Sequence, residues 1–167
     1  MSDLTIDDLN DLDEAAFVDE LGGIYEHSPW VPERVAGDRP FDSVDALHEA
    51  MAAAVGDAGE ERKLELLRAH PDLGEQTEMT DASEQEQASA GLDQLSPEQY
   101  ETFQRLNERY REQFGFPFIM AVKGASPDEI QAAMEARVEN GEAVEFETAL
   151  DQVHEIARLR LEDRFDA

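Results

Sequence analysis

Carboxylates dominate this chain: 41 Asp and Glu stand against 13 Lys and Arg, a formal net charge of −28 on 167 residues. They run from Asp3 to Asp166 and occur in almost every candidate helix, not in one tail. An ionised carboxylate without a partner is costly to bury. Any fold must therefore leave most of them in water, as surface and not as chemistry. Hydrophobic residues still reach 41%, which argues against disorder. A chain of this length buries about two-thirds or more of its unfolded surface, and the length suits one domain.

Lysine occurs only at Lys63 and Lys123, and arginine supplies the other basic residues. The composition resembles that of proteins from extreme halophiles, which stay soluble in molar salt behind carboxylate surfaces. At such salt the Debye length falls to about 3 Å, so self-repulsion is screened. An acidic interaction module is the alternative. The absence of cysteine excludes disulfides, a thiolate nucleophile and cysteine-based metal sites. No apolar run approaches the ~18 residues of a membrane span. The charge repels nucleic acid and anionic membranes. The acidic N-terminus lacks the basic region of a signal peptide, and the C-terminus shows no peroxisomal tripeptide or lipidation box. The expectation is a soluble, cytoplasmic protein with no nucleic-acid or membrane partner.

Proline and glycine punctuate a series of helical stripes. Leu9, Leu12, Ala16, Phe17 and Leu21 predict a helix over 5–21, closed by Gly22 and Gly23. A loop with a short turn near Pro32 follows. Further helices are predicted over 43–55, 59–69, 83–94, 97–114, 127–139 and 142–165. The run GFPFIMAVKG has strand-like composition but no second strand to pair with. The chain reads as all-α, one domain over 1–167, with about seven or eight helices.

Each candidate for chemistry has a structural alternative. Asp45-x-x-His48 and Asp151-x-x-His154 repeat the carboxylate–imidazole spacing of di-iron bundles. With 41 acids in 167 residues chance supplies such pairs, and no bridging Glu is identifiable, so no metal site is expected. His70 ends an amphipathic helix just before Pro71, where the helix dipole favours its protonated form. On local evidence alone the plainer reading is a C-cap that meets the last carbonyls of the helix. Ser83-x-x-Glu86 has capping-box spacing, as do Thr5, Ser126 and Thr148. Glu86, Gln87 and Ala88 would then lie in a first turn, whose free amides suit an anion. Phe146, Ala149, Val153, Ile156 and Arg160 follow a 3-4-3-4 spacing, which puts Arg160 at the edge of a buried face. A buried Arg needs a partner, either a salt bridge or a substrate carboxylate. Trp30, the one tryptophan, reads as a core anchor.

Five short motifs occur in order. They are Glu26-His27-Ser28-Pro29-Trp30-Val31, then Ala69-His70-Pro71-Asp72-Leu73-Gly74, then Ser83-x-x-Glu86-Gln87-x-x-Ala90-Gly91-Leu92. Phe114-Gly115-Phe116-Pro117-Phe118-Ile119 and Ile156-Ala157-x-Leu159-Arg160-Leu161 complete the series. Together, over roughly 10–165, they resemble the OHCU decarboxylase family, which acts on 2-oxo-4-hydroxy-4-carboxy-5-ureidoimidazoline (OHCU) at the end of urate oxidation. The resemblance implies an all-helical, cofactor-free enzyme, usually a homodimer, that yields (S)-allantoin from a small-molecule substrate. It implies that His70 is the catalytic histidine, Glu86 its acidic partner and Arg160 the carboxylate clamp. It implies substrate contacts from Pro71, from Ser83, Glu84, Gln85 and Gln87, and from Phe118, Ile119, Met120, Ala121 and Val122. Gly74 stands where many members have Ala, and Glu84 and Gln85 add polarity to their stretch. Neither departure removes a catalytic side chain. The alternative is the same scaffold kept as a non-catalytic binding module or as an enzyme for a related ureide.

Overall fold

Short polar side chains decide where the helices begin. In the computed structural model Thr5 accepts from the Asp8 amide and Asp8 bonds back to the Thr5 amide, both at 3.1 Å, opening α1 (Ile6–Asn10). Asp13 Oδ1 accepts from the Ala16 amide at 2.8 Å and opens α2 (Glu14–Leu21). The stripe over 5–21 is thus two helices, not one. The apolar spacing runs straight through the break, but the Asp13 carboxylate offers the backbone an alternative to a continuous ladder. Leu9, Phe17 and Leu21 are buried all the same.

The structure describes residues 5–25, 28–70, 73, 81–122 and 125–165, without the side chains of 81–84, 93, 163 and 164. After α2 come α3 (Trp30–Val35), a 3-10 turn over Ala36–Asp38, α4 (Val44–Gly56) and α5 (Glu60–Arg68). Then follow α6 (Asp81–Ser89), a 3-10 turn over Leu92–Gln94, α7 (Pro97–Phe114), α8 (Pro127–Arg137) and α9 (Glu142–Arg164). Among the described residues the class is all-α, nine helices with no strand. The GFPFIM run is accordingly irregular over 117–122.

The chain divides into two compact units, Met1–Leu66 with His154–Ala167, and Leu67–Val153. In the first, Ser43 caps α4, and Val44, Leu47, Met51 and Val55 bury one stripe of it. Asn10 ties the end of α1 to the following chain by a reciprocal pair with the Phe41 main chain, each bond 2.9 Å. The Arg39 guanidinium lies 4.7 Å from the Phe17 ring centre and donates to the Leu12 and Ala36 carbonyls. Trp30 is half-buried, not a core anchor, and the Arg34 and Arg62 guanidiniums lie 5.2 and 5.1 Å from its ring centre. Cation–π contact keeps such a ring at the surface.

In the second unit Ser96 and Gln99 form a capping box, Pro97 takes the first helical position, and α7 buries Phe103, Asn107, Tyr110 and Phe114. Gly115 ends the helix at φ 82°, a left-handed conformation that a side chain would strain. Tyr110 then meets Phe114 and Phe118 with ring centres 4.6 and 5.4 Å apart, and Phe116 meets Phe146 at 6.1 Å. Each such pair adds about 0.5–1.5 kcal/mol beyond its area.

Candidate active site

The second unit holds the histidine, the α6 stretch and the 117–122 segment. His70 follows the last turn of α5, where its amide bonds the Leu67 carbonyl at 3.3 Å, and its side chain is only 6% exposed. Arg68 Nε donates to the Gly115 carbonyl at 2.9 Å, and Asn107 Nδ2 to the Leu73 carbonyl at 2.9 Å. These bonds pin the chain on either side of His70. Pro71, Asp72 and Gly74 lie outside the described residues.

α6 begins at Asp81, so Ser83 lies inside the helix and is not its N-cap. Glu86, Gln87 and Ala88 fall in the second turn, where amides already serve the helix ladder. The expected capping box and its free amides are therefore not at these residues. The side chains of Ser83 and Glu84 lie outside the described residues. Gln85 is exposed, Glu86 half-buried and Gln87 buried, as about 100° per residue requires. The Glu86 carbonyl accepts from the Ser89 hydroxyl at 2.8 Å. Gly91, at φ 78°, stops the helix before the predicted Gln94, and a Cβ there would touch Pro127 at 3.5 Å. Of the other capping-box patterns, Thr5 forms one and Ser126 caps α8, while Thr148 sits inside α9 and donates to the Val144 carbonyl.

Phe118, Ile119 and Val122 are buried, and Met120 and Ala121 half-buried. Here the sequence reasoning missed a buried charge. Glu145 is 0% exposed, and its Oε1 accepts from Arg137 Nε at 2.9 Å and from the Tyr110 hydroxyl at 2.6 Å. Its Oε2 accepts from Asn140 Nδ2 at 2.8 Å. Burial first, and the Glu145 hydrogen bond second, push the Tyr110 hydroxyl well above its ordinary range, so it stays protonated and donates. The available signal was position: Glu145, Ala149 and Val153 make one i, i+4, i+8 line on α9.

In the first unit Arg160 is 6% exposed, and its Nη1 donates to the Gly23 carbonyl at 2.8 Å and reaches the Ile24 carbonyl at 3.5 Å. Burial pushes the neighbouring Tyr25 hydroxyl up, so it keeps its proton, and the hydroxyl shares a hydrogen bond of 2.9 Å with His154 Nδ1. His48 Nε2 lies 2.9 Å from the His154 carbonyl, which only accepts, so that nitrogen carries a proton. Both histidines of the Asp-x-x-His pairs thus serve protein hydrogen bonds. Among the described residues no group of three or more His, Asp or Glu is placed to hold a metal. His27 lies outside the described residues.

Comparison with known proteins supplies the family. The OHCU decarboxylase family model matches residues 10–162. A 2-oxo-4-hydroxy-4-carboxy-5-ureidoimidazoline decarboxylase of Haloferax volcanii is 65% identical over 167 residues, 100% of this chain and 99% of that protein. One from Halalkalicoccus jeotgali is 59% identical over 163 residues, 98% of this chain and 93% of that protein. A crystal structure of (S)-allantoin synthase superposes with a TM-score of 0.81 at 38% identity, over 98% of this chain and 55% of that longer one. With a family model across nearly its whole length and a relative matched end to end, the chain belongs to the OHCU decarboxylase family.

Proposed function

We propose that the chain is a carboxy-lyase that converts OHCU to (S)-allantoin in urate degradation, working as one domain over 1–167. The full-length 65% identity to the Haloferax decarboxylase carries the reading. The family's motif residues His70, Glu86 and Arg160 are all present, and His70 and Arg160 are buried.

The chemistry needs no electron sink beyond the substrate. The departing carboxylate is attached next to a ring C=N bond. When the C–C bond to the carboxylate breaks, its electron pair forms a C=C bond to the imine carbon, the C=N pair moves onto the ring nitrogen, which takes a proton, and carbon dioxide leaves. The remaining enol gives up its hydroxyl proton while the adjacent carbon gains one, and delivery from one side sets the (S) centre. Arg160 orients the carboxylate by charge-assisted hydrogen bonds. His70 acts as base towards the substrate hydroxyl and as proton relay, because imidazole titrates near neutrality. Glu86 fixes the imidazole or holds the hydroxyl. Pro71, the Ser83–Gln87 stretch and the main chain of 118–122 shape the pocket around the ureide. The resemblance also supports a cofactor-free homodimer in the cytoplasm of a high-salt cell. No described helix is long and apolar enough to cross a membrane.

The test is circular dichroism of allantoin formed from OHCU, itself generated in situ from urate, in high-salt buffer. The spontaneous reaction gives racemic product, so handedness is the decisive signal. A fast (S) signal is expected, with rate reduced about 10²–10⁴-fold in His70→Ala or Glu86→Ala while the far-ultraviolet spectrum is kept. Racemic product from the folded parent protein overturns the function. Unchanged turnover by His70→Ala overturns its role.

A further inference from the structure

The irregular 117–122 segment is largely buried, so its main-chain polar groups need partners. Two of them come from side chains on other elements of the same unit. Arg137 Nη1 donates to the Ile119 carbonyl at 2.7 Å, and Gln152 Oε1 accepts from the Ala121 amide at 2.9 Å. Arg137 is itself immobilised: Glu145 holds its Nε, and its guanidinium carbon lies 4.4 Å from the Phe118 ring centre. Glu145 in turn is held by Tyr110 and Asn140.

Peptide planarity turns these two bonds into one aim. The Ile119 carbonyl and the Met120 amide share a peptide plane and point in opposite directions, as do the Met120 carbonyl and the Ala121 amide. Fixing the Ile119 carbonyl on Arg137 therefore directs the Met120 N–H away from Arg137. Fixing the Ala121 amide on Gln152 directs the Met120 C=O away from Gln152. Met120 is half-buried, and no hydrogen bond among the described residues engages its N–H or C=O. One donor and one acceptor on a single residue match the N–H and C=O of an amide-like group.

We propose that Arg137 and Gln152 are positioning residues that aim the Met120 main chain at the ureide group of the substrate. This rests on reading 118–122 as a substrate segment. Arg137, backed by Glu145, sets the donor, and Gln152 sets the acceptor.

The discriminating pair is Gln152→Met, which keeps length and loses the acceptor, and Gln152→Glu, which keeps an acceptor oxygen. Gln152→Met is expected to raise KM about 3–10-fold, the worth of one hydrogen bond, with a smaller change in kcat. Gln152→Glu is expected to restore KM towards the parent value. If Gln152→Met does not fold, Arg137→Lys takes its place, since an ammonium does not span Glu145 and the Ile119 carbonyl as the guanidinium fork does; it is expected to raise KM in the same way. An unmoved KM in the folded variant overturns the proposal, as does an equal rise in Gln152→Glu. His70→Ala is run alongside. Activity lost there with KM unmoved in Gln152→Met overturns the positioning role alone, whereas activity kept there overturns the site.

Discussion

The two halves of α9 each bury one charge, and they hold it differently. Glu145, in the N-terminal half, is saturated: a guanidinium, a phenol and an amide supply its donors within one unit. Arg160, in the C-terminal half, sits with Nη1 on the main-chain carbonyls of Gly23 and Ile24. Neutral carbonyls orient a guanidinium through its N–H groups, whereas the Glu145 carboxylate is oriented by donors. The contrast teaches that burial of charge alone does not mark a catalytic group. Glu145 serves the architecture behind the 117–122 segment, and Arg160 ties the C-terminal half of α9 to the main chain at Gly23 and Ile24.

Removing each charge sharpens that difference. Glu145→Ala leaves Arg137 buried without its carboxylate and strips Tyr110 and Asn140 of their acceptor. Breaking a buried pair in this way costs about 3–5 kcal/mol. The measurement is the denaturation midpoint in high salt, and a loss below about 1 kcal/mol would put Glu145 in a different environment from the one seen here. Arg160→Ala is expected to reverse the order of effects. Catalysis falls about 10–150-fold, as loss of charge-assisted hydrogen bonds predicts, while the midpoint moves less than in Glu145→Ala. Turnover and (S) handedness, measured beside the midpoint, decide it. A stability loss as large as that of Glu145→Ala with catalysis intact would make Arg160 architectural too.

The same helix shows what the sequence made legible. Arg160 stood out because it extends the 3-4-3-4 apolar line of α9. Glu145 lies on a comparable line but was hidden among 41 acids, where one more carboxylate carries no signal. The long α7 was legible from both ends, through Ser96-Pro97 before it and Gly115 after it, because caps and periodicity agreed. The start of α6 was not. Ser83 and Glu86 offer a capping box, yet the helix begins at Asp81, since nothing in four residues says which of several polar side chains the backbone will choose. Arg137 and Gln152 had no local signature at all. Their importance lies in which carbonyl and which amide they meet, and that is set by tertiary packing.

The smallest effect probes the break between α1 and α2, where periodicity and capping disagreed and capping prevailed. If the Asp13 oxygen is what starts α2, Asp13→Ala loses the bond to the Ala16 amide and costs about 0.5–1 kcal/mol. Asp13→Asn keeps an acceptor oxygen at the same place while removing one of the many negative charges, so it costs less. The two midpoints, compared in the same molar salt, separate the cap from the charge, because long-range repulsion is screened there. Equal losses in both variants would mean that the carboxylate's charge, and not its hydrogen bond, sets the start of α2. No loss in either would mean that the buried Leu9 and Phe17 alone fix the two helices and the cap merely accompanies the break.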